Sequence, residues 1–282
     1  MNKFLKLLLI ILALGAVDIG RYFLYPDVSS LKETNPIPTA FMEFRKEQWA
    51  DEERKIKMNH VWVKIGNISP NIIKAVLIAE DDGFYNHEGF DIKGMENAIE
   101  RSIKRGTLAG GSTISQQLSK NLYLSPSKNP VRKIKEAIIT YRIERALSKR
   151  RILEIYLNIA EWGDGIFGIE AAARHHYGKS AKNLTALEAS RLASVLPNPI
   201  RYNPVKNQKY VQFRSEVIYK TMQKRGVVES AYQETVAPKK EKEAVVAEPT
   251  EENSIIEPEV QSVKSQNNEE QATDLVDNNL TN

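Results

Sequence analysis

The residues best placed to do chemistry lie in Ala79-Glu80-Asp81-Asp82-Gly83-Phe84-Tyr85-Asn86-His87-Glu88-Gly89. Three consecutive acids close the apolar run Ala75-Val76-Leu77-Ile78-Ala79. An apolar wall beside a carboxylate raises its pKa and turns it into a working proton acceptor, so Glu80 is a candidate general base. The plainer reading is a helix that ends in solvated acids. Acids at a helix C-terminus oppose the macrodipole, and that unfavourable placement tilts the balance toward function. Asp81, Asp82 and His87 also invite a metal-site reading. It is the weaker one, because hard cations usually draw on more oxygen ligands, and no metal ligand is assigned.

A second cluster is Gly110-Gly111-Ser112-Thr113-Ile114-Ser115-Gln116-Gln117-Leu118-Ser119-Lys120-Asn121. Two glycines and two hydroxyls at a helix start leave backbone N–H groups pointing outward, a geometry that binds phosphate. It is not a Walker loop, since no Lys-Ser/Thr follows the glycines. Gln117 and Lys120 are three apart and share a helix face. A glycine turn with a serine cap accounts equally well for the glycines and the serine. The third cluster is Lys128, Arg132, Lys133, Lys135 and Glu136. Arg132, Lys135 and Glu136 stand at i, i+3 and i+4 on one helical face. They either form a solvated salt-bridge face or clamp a pyrophosphate, with Glu136 orienting the cations. Lys149-Arg150-Arg151 reads as surface or lipid-headgroup contact.

The elements that must position these clusters are helical. Ser69-Pro70 is a start signal with Pro at the first helical position, and Ile72, Ile73, Val76, Leu77 and Ala79 make that helix's buried side. Further helices are predicted over Ile92–Lys104, from near Ser112, over Val131–Leu147, Arg151–Ile159, and Glu170–Tyr177 stopped by Gly178. Thr185-Ala186-Leu187-Glu188 is a capping box opening a helix that Pro197 ends. Lys206–Lys224 is the last, with Gly226 as its C-terminal cap. Strand-period alternation is absent apart from a short candidate at Val61–Ile65.

The chain has 282 residues and no cysteine, which excludes disulfides, thiol chemistry and cysteine zinc sites. Its net charge of +4, from 40 basic and 36 acidic residues, hides an asymmetry: Glu241 to Asn282 holds 11 Asp/Glu and 2 Lys, a net of −9, which leaves +13 for Met1–Lys240. A basic body calls for an anionic partner. Nucleic acid is not the expected one, because the cations are grouped beside acids and glycines and no nucleic-acid motif is present.

Leu7 to Val17 is uncharged, short for a span and typical of a signal peptide, but no clean cleavage site follows. Extended over Phe4–Leu24, the segment would reach about 31 Å as a helix. Asp18 and Arg21 would pair on one face, Tyr22 and Tyr25 would sit in the interfacial belt, and Lys3 and Lys6 favour a cytoplasmic N-terminus. The expected organisation is an uncleaved anchor at 1–25, a tether and membrane-proximal segment at 26–58, a catalytic domain at 59–237 and an acidic tail at 238–282. Within the second segment, Thr39–Met58 is either a membrane-touching amphipathic element or an ordinary surface helix. The tail, rich in Glu, Gln, Asn, Ser and Pro and without aromatics, is expected to be disordered.

Together the three clusters resemble the motifs of the glycosyltransferase domain of peptidoglycan polymerases, glycosyltransferase family 51. Glu80-Asp-x-x-Phe84-x-x-His87-x-Gly89 resembles the first motif, Gly110-Gly-Ser-Thr-Ile-Ser-Gln-Gln117 with Lys120 and Asn121 the second, Arg132-Lys133-x-x-Glu136 the third and Arg151-Ile-Leu-Glu-Ile-Tyr-Leu-Asn158 the fourth. Gly168-Ile-Glu-Ala-Ala-Ala173 and Leu196-Pro-Asn-Pro199 resemble later segments. The resemblance spans about Phe41 to Tyr202. Asn158-Ile-Ala-Glu-Trp-Gly163, with no room for a penicillin-binding domain afterwards, is similar to the monofunctional biosynthetic transglycosylases of Gram-negative bacteria.

The resemblance implies a mainly α, lysozyme-like domain with one N-terminal transmembrane helix, on the periplasmic side of the bacterial inner membrane. It implies polymerisation of lipid II into β-1,4-linked glycan with release of undecaprenyl pyrophosphate, and no transpeptidase domain. Glu80 would be the base of an inverting displacement and Glu136 would order the cations. Lys120, Lys128 and Arg132, with the Ser112-Thr113 turn, would meet the pyrophosphate. Asp81, Phe84, His87, Gly110, Gln117, Asn121 and Lys135 are the remaining substrate-site candidates. No cofactor is expected to be required; a divalent cation, Mg or Mn, is the one helper the pyrophosphate would accept. Lipid II, the growing lipid-linked chain, the inner membrane, and other cell-wall synthases or division proteins are the expected partners. The nearest rival is a lysozyme-like hydrolase, which also uses a Glu on a helical domain but needs no cations for a leaving pyrophosphate.

Overall fold

A computed structural model describes residues 2–105, 110–126 and 129–227. Lys128 and the 238–282 tail lie outside the described residues. Ten α-helices occur among those described: α1 (Lys3–Gly20), α2 (Ala40–Asp51), α3 (Pro70–Glu80), α4 (Ile92–Arg105), α5 (Ile114–Tyr123), α6 (Pro130–Ala146), α7 (Lys149–Ile159), α8 (Ile169–Tyr177), α9 (Ala186–Val195) and α10 (Lys209–Lys224). The mainly helical expectation holds.

The helix starts follow local chemistry. Ser69 accepts from the Asn71 N–H and Pro70 opens α3. Thr113 caps α5 in a reciprocal box with Gln116, and Thr185 does the same for α9 with Glu188. The first of these corrects the expected serine cap by one residue. Gly178 ends α8 in the left-handed conformation, where a Cβ would be strained.

α7 runs through the interior, with every residue from Ile155 to Ile159 buried. α5 packs against it, and α6 and α2 lie against α5. α3 is sandwiched with α9 and α10, so both ends of the chain's catalytic motifs rest on one core. A small sheet in the order β1-β3-β2 closes one side: β1 (Asn59–His60) runs parallel to β3 (Ile166–Phe167), and β2 (Glu161–Gly163) is antiparallel to it. The strand expected at Val61–Ile65 is therefore displaced to Asn59–His60. Val63 instead donates its N–H to Oδ1 of buried Asn158 and accepts from Asn158 Nδ2 at its carbonyl, each at 2.8 Å.

Two expectations for the N-terminal region are corrected. The 26–58 segment is not a free tether, because Val28, Leu31, Met42 and Trp49 are buried in the same core. Arg151 fixes it further, donating to the carbonyls of Leu31 and Thr34, each at 2.8 Å. The predicted Phe4–Leu24 span does not form: α1 stops at Gly20, a 3₁₀ turn over Arg21–Phe23 follows, and no helix among the described residues is long and apolar enough to cross a membrane. Lys3, Lys6 and Asp18 lie within α1, and its length is about 27 Å against a hydrocarbon core of about 30 Å. The expected pairing of Asp18 with Arg21 is present at 3.2 Å.

Candidate active site

Four helices converge on Glu80, the last residue of α3. Gln117 on α5 donates through Nε2 to Glu80 Oε2 at 2.9 Å. Tyr156 on α7 donates its hydroxyl to Gln117 Oε1 at 3.1 Å, which fixes the amide's orientation. Arg214 on α10 places Nη2 3.5 Å from Glu80 Oε1 and donates to the Ala79 carbonyl at 3.1 Å. Glu80 Oε1 itself is buried and accepts no hydrogen bond.

Burial raises the Glu80 pKa above the ordinary carboxylate value, against the opposing pull of Gln117, Arg214 and Lys120. A raised pKa makes the ionised carboxylate a stronger proton acceptor than an ordinary solvated one. The Tyr156 phenol is pushed well up by burial, with the Glu80 and Asp81 charges adding to it, so it stays protonated and keeps donating.

Lys120 follows Gln117 by one turn. Burial lowers its pKa, and Glu136 opposes that fall. Glu136 is itself buried on α6, accepting from Arg132 Nη1 at 2.6 Å and from Lys133 Nζ. Ser112 Oγ lies 3.5 Å from Lys133 Nζ. A cleft of about 330 Å³ opens along this face, lined among others by Gln117, Lys120, Asn121, Tyr156, Arg45 and Glu161. Arg45 holds Glu161 through one oxygen at 2.7 Å.

Other candidates serve as struts. Asp81 is buried, with one oxygen 2.8 Å from His87 Nε2 and the other accepting from the Ile114 N–H at 2.9 Å. His87 Nδ1 accepts from the Gly89 N–H, so Nε2 carries the proton. Thr113 donates to the Gly89 carbonyl at 2.7 Å while capping α5. These bonds tie the end of α3 to the start of α5 and set the Glu80–Gln117 distance. Phe84 is a core side chain under the Lys149 ammonium, 4.5 Å from its ring centre. Gly110 is exposed at the mouth of the α5 turn. Asp82 pairs with Arg225, which holds its carboxyl below the usual range. Lys135 leaves the cluster altogether, since its ammonium lies 2.5 Å from Asp18 of α1. Among the described residues no group of three or more His, Asp and Glu is placed to hold a metal ion.

A family model for the transglycosylases matches residues 47–223. The chain belongs to that family. A relative from Azoarcus sp. (strain BH72), named biosynthetic peptidoglycan transglycosylase, is 48% identical over 191 residues, covering 67% of this chain and 83% of the relative. Relatives of the same name from Aromatoleum aromaticum and Janthinobacterium sp. (strain Marseille) are 48% identical over 193 residues and 41% identical over 223; the latter match covers 96% of the relative.

The sequence reading missed two groups that this transglycosylase brings to the site. Arg214 comes from a helix remote in the chain and carries no local signal, and Tyr156 lies within the fourth motif without having been singled out. Within the third cluster the reading put Lys135 on the face of Arg132 and Glu136; the structure puts Lys133 there, at i, i+3 to Glu136, a spacing that faces, whereas Lys135 is the neighbouring residue and points about 100° around the helix.

Proposed function

We propose that this transglycosylase polymerises lipid II into β-1,4-linked glycan by an inverting displacement with Glu80 as the base. The acceptor's 4-hydroxyl donates its proton to Glu80 Oε1 as its oxygen bonds to the donor's anomeric carbon. The anomeric bond to pyrophosphate breaks in the same displacement, and the electron pair leaves with undecaprenyl pyrophosphate. Gln117, steadied by Tyr156, holds Oε2 and so reserves Oε1 for the proton. Lys120, Arg132 and Lys133 neutralise the departing charge, as positioned cations do for phosphoryl groups. The Glu136 carboxylate is engaged by Arg132 and Lys133, so a divalent cation would meet the pyrophosphate's oxygens rather than a carboxylate cage, and no step here runs through one. The apolar side chains of α1, none of them buried, would sit in the lipid of the bacterial inner membrane, keeping the body on the periplasmic face where its substrate is anchored.

The observation that carries this reading is the buried Glu80 carboxylate with one oxygen hydrogen-bonded and the other accepting no hydrogen bond, with only the Arg214 guanidinium 3.5 Å away, one α5 turn from a cationic cluster. Purified protein incubated with labelled lipid II should yield long glycan strands. Shortened fragments from preformed glycan, with no polymer from lipid II, would favour a hydrolase.

Arg214 gives a pH test. It draws the Glu80 pKa down against burial. In Arg214→Met the acid limb of kcat/KM should therefore move to higher pH, because desolvation acts unopposed by that cation. A lower rate with an unmoved limb would assign Arg214 to packing alone.

A further inference from the structure

α6 carries charge on two sides, and the proposed reaction uses only one. Arg132, Lys133 and Glu136 form the charged cluster that acts on Lys120 of the cleft. Lys135 and Arg142 are two turns apart, hence on one face, and both engage the end of α1. The Lys135 ammonium pairs with Asp18 and lies 5.0 Å from the centre of the Tyr22 ring. Arg142 spreads its guanidinium across two backbone carbonyls, donating through Nη1 to Tyr22 and through Nη2 to Leu24, each at 2.9 Å. Carbonyls at a helix end lack partners within the helix, so this fork satisfies groups that the 3₁₀ turn leaves open. Arg21 closes the arrangement on Asp18.

The rest of α1 shows the opposite character. It has no buried residue, and side chains such as Phe4, Leu12 and Leu14 expose more than half their surface. α1 is therefore a lever of about 27 Å held at its C-terminal end, and the helix that holds it is the one that carries Glu136.

We propose that Lys135 and Arg142 are positioning residues: they lock the end of α1 to α6 so that the phosphate-facing cations keep a fixed height and tilt relative to the lipid surface from which the substrate is presented. This rests on the lipid II reading above. The clamp should matter only when the substrate is embedded in a bilayer. A free, short-chain substrate can diffuse into the cleft in any orientation, whereas an embedded one reaches it only if the body is correctly posed, and misplacement of about 1 Å can cost about 10²-fold.

The test uses the full chain with Asp18→Asn and Arg142→Gln, singly and together. Each is assayed with undecaprenyl lipid II in phosphatidylethanolamine–phosphatidylglycerol vesicles and with a water-soluble short-prenyl lipid II analogue. The double variant should lose about tenfold or more in kcat/KM on vesicles and stay within about twofold of wild type on the soluble analogue. Equal losses on both substrates would mean a merely structural contact, and wild-type rates on vesicles would mean that the clamp is idle; either overturns the proposal. Asp18→Asn alters a half-exposed side chain and keeps the test valid if the Arg142 variant unfolds. A wild-type protein inactive on both substrates would instead overturn the polymerase reading itself.

Discussion

Replacing Glu80 by Gln is expected to lower glycan polymerisation by about 10²–10⁴-fold, the usual contribution of a positioned general base, while leaving the fold intact. The amide keeps the shape of the carboxylate and can still accept from Gln117, so the helix junction should survive. What it cannot do is take a proton at the oxygen that accepts no hydrogen bond. The loss should fall on kcat, since the acceptor hydroxyl is activated only as the displacement proceeds. Wild-type turnover in this variant would remove Glu80 from the base role.

The same substitution carries a stability prediction of opposite sign. Burial raises the Glu80 pKa in the folded state. Between the unfolded and folded values the native chain binds more protons than the unfolded one, so stability falls as pH rises through that window. Above it, the wild-type protein bears the full cost of a buried charge. Glu80→Gln should therefore melt at or above the wild-type temperature once the pH is above that window, with the advantage shrinking as pH falls toward the ordinary glutamate value of about 4.3, below which the carboxyl is protonated in both states. An inactive variant that is also clearly less stable at neutral pH would point to a structural role.

How much of this was legible in the sequence depended on the range of the interaction. Ser69-Pro70, the Thr185 box and Gly178 act through neighbours within a turn, and each appears where the residues place it. Glu80 at the end of an apolar helix was legible for the same reason. Its partners were not: Gln117 is 37 residues away, and Tyr156 and Arg214 arrive through the packing of α7 and α10. The sheet was missed because strands of two and three residues have no period to read. The α1 expectation failed because the helix stops at Gly20 and carries Lys3, Lys6 and Asp18; what the sequence could not show is that Asp18, read as a partner of Arg21, also pairs with Lys135 on α6.

Glu136→Ala is expected to damage both stability and rate. Its carboxylate is almost fully buried, 3% exposed at the side chain, between Arg132 at 20% and Lys133 at 48%. Breaking a buried pair usually costs about 3–5 kcal/mol, because the surviving charge is left uncompensated. Here Lys133 reaches water, which puts the cost near the lower end, about 3 kcal/mol, or a melting shift of about 6–12 °C. The effect on rate follows from Lys120. Burial already lowers its pKa and Glu136 counters that shift, so without the carboxylate its pKa falls further and the cations repel one another with no counter-charge between them. Three cations that should meet the leaving pyrophosphate would then be less ordered, and losing one such stabilising group costs about 10²–10³ in kcat. Thermal melting and kcat/KM on lipid II, measured together, separate the two consequences. A variant that melts early but turns over normally below its melting point would show that the cations find their places without Glu136, which would then be a folding residue and not part of the chemistry.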